Sequence, residues 1–230
     1  MQTLCKSVDG YCRGEGCGGV VVKRLADAVA EGDHIYGVIR GIDVNQCGTA
    51  KSITHSHAAT QEALFRSVIK KSRVTPDSIN VVEAHGTGTQ AGDYAEVSSL
   101  AAVFGSKRSS DNPLHLSSVK GNIGHSEAAS GVAGLVKLLL MMENKTLLPQ
   151  ASHQEVIARL RDLMSSGRLR VPTWREDWNP APGQLARRAL ISDFGASGSN
   201  VALVLEEYKT TRGEQASRMA HHNFHAAIMY

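Results

Sequence analysis

Two histidines, His85 and His125, each stand in a glycine-rich turn at the end of a short apolar stretch. The turns read "EAHGTGT" (83–89) and "KGNIGHSEAASG" (120–131), and a third, "DFGASGSN", spans 193–200. Glycines accept positive φ and let backbone N–H groups approach a ligand closely. Two neutral imidazoles aimed at one point can donate hydrogen bonds to a developing oxyanion or enolate. Lys120, five residues before His125, adds a positive charge that could hold a carboxylate or tune a histidine. Taken singly, either histidine is better explained as a satisfied, half-buried turn residue; two, each within a glycine turn and with Lys120 adjacent, make the two readings about even.

The flanking pattern says which elements must position these groups. Val20–Val22 reads as a strand, Leu25–Ala30 as a short helix ended by Gly32, and Ile35–Ile39 as a returning strand. Leu64, Phe65, Val68 and Ile69 repeat at helical spacing, with Pro76 beyond the helix end. "INVVEAH" follows as a buried strand, "DYAEVSSLAAVFG" as a helix ended by Gly105, and "LHLSSVK" as a strand. "SEAASGVAGLVKLLLMMENK" predicts a helix with Ser126 as N-cap and Glu127 in its first turn. Being apolar nearly all round, it should lie inside the molecule. From "LPQASHQ" to "WNPAPGQ" the pattern is irregular and reads as a surface excursion with a short helix around Glu155–Met164. "RRALISDFGASGSNVALVLEEY" gives two strands around a tight glycine turn. Strands alternating with helices predict an α/β fold with a partly parallel sheet. In such sheets strand-end loops gather along one edge and form the ligand crevice, which would bring His85 and His125 together. Residues 209–230 are polar and aperiodic and read as a disordered tail.

Composition narrows the function classes. The 230 residues are 42% hydrophobic and 20% charged, with a net charge of +3. Acidic and basic residues are mixed along the chain, so no nucleic-acid stripe is present. The longest apolar run, near Ala128–Met142, is broken by Ser130, Gly131, Gly134 and Lys137 and is too short to span a bilayer. Cys5, Cys12, Cys17 and Cys47 follow no apolar signal segment, so a reduced, cytoplasmic protein is expected. The C-x4-C spacing of Cys12 and Cys17 has no second pair to complete a zinc site. No spacing demands a metal at His55, His57, His221, His222 and His225 either. The glycine turns match neither a phosphate loop nor a dinucleotide fingerprint.

Five collinear stretches carry a family resemblance over about residues 5–208: "DGYCRGEGCGGVVVKRL", "GVIRGIDVNQCGTAKSITHSHAATQEALF", "EAHGTGTQAGD", "VKGNIGHSEAASGVAGLVKLLL" and "DFGASGSNVALVLEEY". They resemble the β-ketoacyl synthase domain of iterative type I polyketide synthases, and the "NQCGTAKSITH" and "ASGSN" wording is closest to fungal non-reducing synthases. The resemblance implies a thiolase-like α/β fold, here mainly the C-terminal half of a five-layered αβαβα core. It implies a Cys-His-His site in which the cysteine takes the acyl chain and the histidines support decarboxylation of a malonyl unit. His85 and His125 match the two histidines and Lys120 the accompanying lysine. Thr87, Thr89, Asn122, Phe194 and Gly195 fall at substrate-binding positions. The resemblance implies no bound cofactor; acyl and malonyl groups would arrive on acyl carrier protein phosphopantetheine. Acyl carrier protein, an intact synthase or a second copy in a homodimer would be the partners.

The family nucleophile lies in a D-x-A-C-S-S elbow, and no such segment occurs in these 230 residues. Cys5, Cys12 and Cys47 fit family positions without a catalytic role, and Cys17 sits among glycines. Asp193 stands where the family usually has Ser, and Tyr94–Ala95 is a further departure. The expectation is a truncated ketosynthase of polyketide biosynthesis that cannot carry out decarboxylative condensation by itself. The alternatives are a malonyl-thioester decarboxylase, which needs only the histidine pair, and a non-catalytic partner of an intact synthase.

Overall fold

The computed structural model describes residues 4, 10, 12–48, 57–106, 108–151, 155 and 160–209. Its main sheet has six strands: β1 (Val38–Gln46), β2 (Val81–Glu83), β3 (Leu114–Ser117), β5 (Leu169–Arg170), β7 (Arg188–Phe194) and β8 (Ser199–Glu206). The order is β1-β8-β7-β2-β3-β5, and a two-stranded ribbon pairs β4 (Thr146–Leu147) with β6 (Glu176–Asp177). The β7-β2-β3-β5 neighbours are parallel, while β1-β8 and β8-β7 are antiparallel. The sheet is therefore mixed, as the alternating pattern predicts.

Helices cover both faces. On one lie α2 (Ala58–Ser72) and α3 (Gln90–Phe104), whose Leu64, Phe65, Val68, Val97, Leu100 and Phe104 pack on Val82, Leu114, Leu116, Leu190 and Val204. On the other lies α5 (Ser130–Glu143), with Leu138, Met141 and Met142 against Val81, Ala189, Ile191, Leu205 and Trp178. The alternation Val81/Val82 and Ala189/Leu190 divides the two cores, as the period-two geometry of strands requires. The helix α2 ends as its sequence anticipates. Arg73 takes a left-handed conformation at φ 54°, Lys70 and Lys71 sit in the last turn, and Pro76 follows.

Several elements depart from the sequence reading. The helix α1 (Leu25–Ala30) forms as expected, but Val20–Val22 is not a strand, and all three valines are exposed. Among the described residues no strand pairs with this β-branched run, and β propensity alone does not make a ladder. The returning strand begins at Val38 rather than Ile35, where it pairs with β8 from Glu206 backward. The helix α3 starts at Gln90, because Thr89 Oγ1 accepts the Gly92 N–H at 3.3 Å and caps it early. Ser126 takes the N-cap position of a 3₁₀ turn at Glu127–Ala129 that precedes α5, rather than of α5 itself, and its side chain makes no capping bond: Ser126 Oγ is buried without a hydrogen-bond partner among the described residues. One stripe of α5 is buried, but Val132, Leu135 and Leu139 are only half covered and Leu140 is exposed, so the helix does not lie wholly inside. The irregular stretch is no mere excursion. It adds β5 to the sheet edge and buries Trp178, whose Nε1 donates to Asn80 Oδ1 at 2.9 Å. Of the helix expected near Glu155–Met164, α6 (Arg161–Ser165) forms, and residues 156–159 lie outside the described set, as do 210–230. Among the described residues no helix is long and apolar enough to cross a membrane.

Candidate active site

His85 follows β2 directly, and the turn that carries it is clamped from α3. Glu96, buried at 1% exposure, accepts the backbone N–H of His85 at 2.9 Å and that of Gly86 at 3.0 Å. Its Oε1 also accepts Ser192 Oγ–H from β7 at 2.6 Å, so one carboxylate ties three elements at the strand ends. Asp93, one turn earlier, holds the rest of the loop by accepting the N–H groups of Gly88 at 3.2 Å and Leu4 at 2.8 Å. Burial pushes its carboxyl up to about 7, partly opposed by the Leu4 N–H.

His125 is placed by a different device. After the short helix α4 (Lys120–Ile123), its N–H donates to Cys12 O at 2.8 Å and its carbonyl accepts Gly14 N–H at 2.9 Å. Residues 12–14 thus run beside it as a parallel bridge. The approach is so close that a Cβ on Gly14 would lie 2.3 Å from the Ile123 carbonyl oxygen. His125 Nδ1 accepts the Glu127 N–H at 3.0 Å, which leaves the proton of the neutral ring on Nε2. Burial first, then the Lys120 charge, keeps this imidazole below its ordinary pKa and so favours the neutral form.

The two rings meet edge-to-face with centroids 5.6 Å apart, and the Phe194 ring is 5.3 Å from His85. Phe194 is in turn backed by Phe65 of α2 at 6.4 Å. Behind the histidines, Lys120 is buried and its Nζ lies 3.2 Å from Asp193 Oδ1. The same Oδ1 is 2.7 Å from His85 Nδ1. Burial raises the Asp193 carboxyl, but the His85 hydrogen bond and Lys120 outweigh it and hold the group below the usual carboxylate range. Lys120 therefore does hold a carboxylate, that of Asp193.

These groups open onto a cleft of about 1100 Å³. Its apolar wall includes Ile42, Val132, Leu135, Ile191, Val201 and Leu203. Thr87, Thr89, Phe194 and Gly195 line it, as does Cys47, whose Sγ accepts Asn200 Nδ2–H at 3.1 Å. Asn122 does not line it; it is exposed on α4. Among the described residues no cluster of His, Cys, Asp or Glu could hold a metal. Sequence reasoning missed Glu96, Asp93 and the pair of buried Glu83 with part-buried Lys137, 2.7 Å apart, which joins β2 to α5. A signal for the first two was present. Asp93, Glu96, Val97, Leu100 and Phe104 share one helical stripe, so the two acids sit on the apolar face of α3.

The profile of the β-ketoacyl synthase C-terminal domain matches residues 36–154, and the chain belongs to that family. It is 48% identical over 93% of its length to an orsellinic acid synthase of Beauveria bassiana and 52% identical over 88% to one of Armillaria mellea. A non-reducing polyketide synthase of Emericella nidulans is 47% identical over 87% of the chain. The chain spans 10%, 9% and 8% of these three relatives. Among solved structures, the module 6 ketosynthase of the Bacillus subtilis bacillaene synthase superposes with a TM-score of 0.84 at 41% identity, covering 90% of this chain and 37% of that one. A ketosynthase domain of Streptomyces albus oxazolomycin synthesis gives 0.83 at 33% identity, over 90% and 36%. The fold is thus the thiolase-like fold of ketosynthases.

Proposed function

We propose that this chain serves polyketide biosynthesis as the histidine-bearing portion of a ketosynthase and does not by itself perform decarboxylative condensation. The observation that carries the proposal is the pair of imidazoles at 5.6 Å beside an apolar cleft, with no thiol of the D-x-A-C-S-S type in the sequence. Of the described cysteines, Cys12 and Cys17 are exposed, and Cys47 sits on the cleft wall bonded to Asn200. The acyl and malonyl groups would be presented on acyl carrier protein in the cytoplasm. The exposed Ile39, Ile42 and Val44 of β1 favour a ketosynthase chain, a second copy or an intact synthase, as a further partner.

A second reading draws on the same geometry. An enolate formed by loss of CO₂ from a malonyl thioester needs hydrogen-bond donors and no covalent partner. The chain would then turn malonyl carrier protein into acetyl carrier protein. Incubating the purified chain with malonyl and acyl carrier proteins and weighing the products by mass spectrometry tests both readings. Absence of any β-ketoacyl product is expected. Acetyl carrier protein that disappears in His85→Ala supports the decarboxylase, and a β-ketoacyl product from the chain alone contradicts the main proposal.

A further inference from the structure

Two groups converge on one nitrogen of His85. Asp193 Oδ1 lies 2.7 Å from Nδ1, and the backbone N of Phe194 lies 3.3 Å from it. They make opposite demands. A carboxylate can only accept, so it needs a proton on Nδ1; the Phe194 N–H can only donate, so it needs a bare Nδ1. The carboxylate contact is the shorter and is charge-assisted, which makes it the stronger of the two. Lys120 Nζ at 3.2 Å fixes the same oxygen. Gly131 of α5 leaves room for the other, since a Cβ there would come within 2.9 Å of Asp193 Oδ2.

We infer that Asp193 is a positioning residue that holds His85 in the Nδ1–H tautomer, so that the site pairs a proton-accepting Nε2 on His85 with a proton-donating Nε2 on His125. The contrast between the rings comes from their partners. His125 Nδ1 is occupied by a donor, the Glu127 N–H, whereas His85 Nδ1 faces an acceptor. A donor–acceptor pair can take a proton from a cleft-bound group at His85 while hydrogen-bonding an oxygen at His125. It offers an enolate one N–H where a pair of Nε2–H rings would offer two. The bearing on decarboxylation rests on the function proposed above; the tautomer itself does not.

The test is nitrogen-15 NMR of the histidine-labelled 230-residue chain, with His85→Gln used to assign the His85 signals. Under conditions where the ring is neutral, a proton on Nδ1 and none on Nε2 is expected. In Asp193→Ala and Asp193→Ser the Phe194 N–H is left to decide, and the proton moves to Nε2. A wild-type ring with a bare Nδ1 overturns the inference without any variant, and so does a tautomer unchanged in a folded Asp193→Ala. If malonyl carrier protein is decarboxylated, both variants should raise the rate by about tenfold or more, because a second donor is restored. A rate that falls or stays unchanged would overturn the one-donor account of the site, while inactivity of every form, with the tautomers as stated, counts against the proposed function alone.

Discussion

Glu96 shows how a single side chain sets the site. Its two oxygens take two backbone N–H groups and a serine hydroxyl around His85. Glu96→Gln keeps the shape but replaces one acceptor oxygen with an amide that faces an N–H donor. The expected cost is about 1–3 kcal/mol in chemical denaturation, with displaced His85 and Gly86 amide resonances. Lys120→Met acts on the carboxylate instead. It removes the cation that offsets the burial of Asp193, so the Asp193 carboxyl should titrate at higher pH, measurable by carbon-13 NMR. His85, His125 and Lys120 were legible in the sequence because glycine turns after apolar strands are unusual places for such groups. Glu96 and Asp93 were not, because acids on a helix are ordinarily solvent-facing. Their place on the stripe of Leu100 and Phe104 distinguishes them, and it becomes decisive only once that stripe is known to face the sheet.

Elements matter here through how closely they approach. Residues 12–14 hold His125 only because Gly14 has no side chain to strike Ile123. Gly14→Ala should push this segment away and cost about 1–3 kcal/mol, with loss of hydrogen-exchange protection at the His125 amide. The Glu83–Lys137 pair joins β2 to α5 while Glu83 also accepts the Val119 N–H that starts α4. Lys137→Met alone leaves a buried carboxylate uncompensated, at about 3–5 kcal/mol. Pairing it with Glu83→Gln should recover part of that loss, as urea denaturation of the two variants can show. Most elements were legible where the apolar period was long, as in α2, or where a hairpin turn was obvious, as in β7–β8. Val20–Val22 and Trp178 were misread for a common reason. Whether an extended run finds a partner, or a lone aromatic finds a core, depends on residues distant in the chain.

Across the whole molecule, pH stability should carry the mark of two buried groups with opposite signs. Asp93 has its carboxyl raised from 3.8 to about 7, chiefly by burial. Its folded form binds the proton more tightly than its unfolded form, so its stabilising contribution is full below about pH 4 and is lost as pH rises to about 7. His115, buried on β3, has its imidazole lowered from 6.5 to about 4, again chiefly by burial. Its contribution is present above pH 6.5 and is lost as pH falls toward 4. The two slopes oppose each other between pH 4 and 6.5, so they partly cancel in the wild-type profile. Asp93→Asn removes one of them, and its stability should rise with pH through that window, followed by thermal melts across pH 4–7.5. The proposed division of labour between the histidines of this chain and a cysteine supplied by another segment is also a whole-molecule property. The most direct measurement supplies a separate ketosynthase segment that bears the D-x-A-C-S-S elbow, together with acyl and malonyl carrier proteins, and follows β-ketoacyl carrier protein by mass spectrometry. Product that requires both chains and vanishes with His85→Ala is the predicted result; product from this chain alone, or product from the pair that survives His85→Ala, would contradict the account.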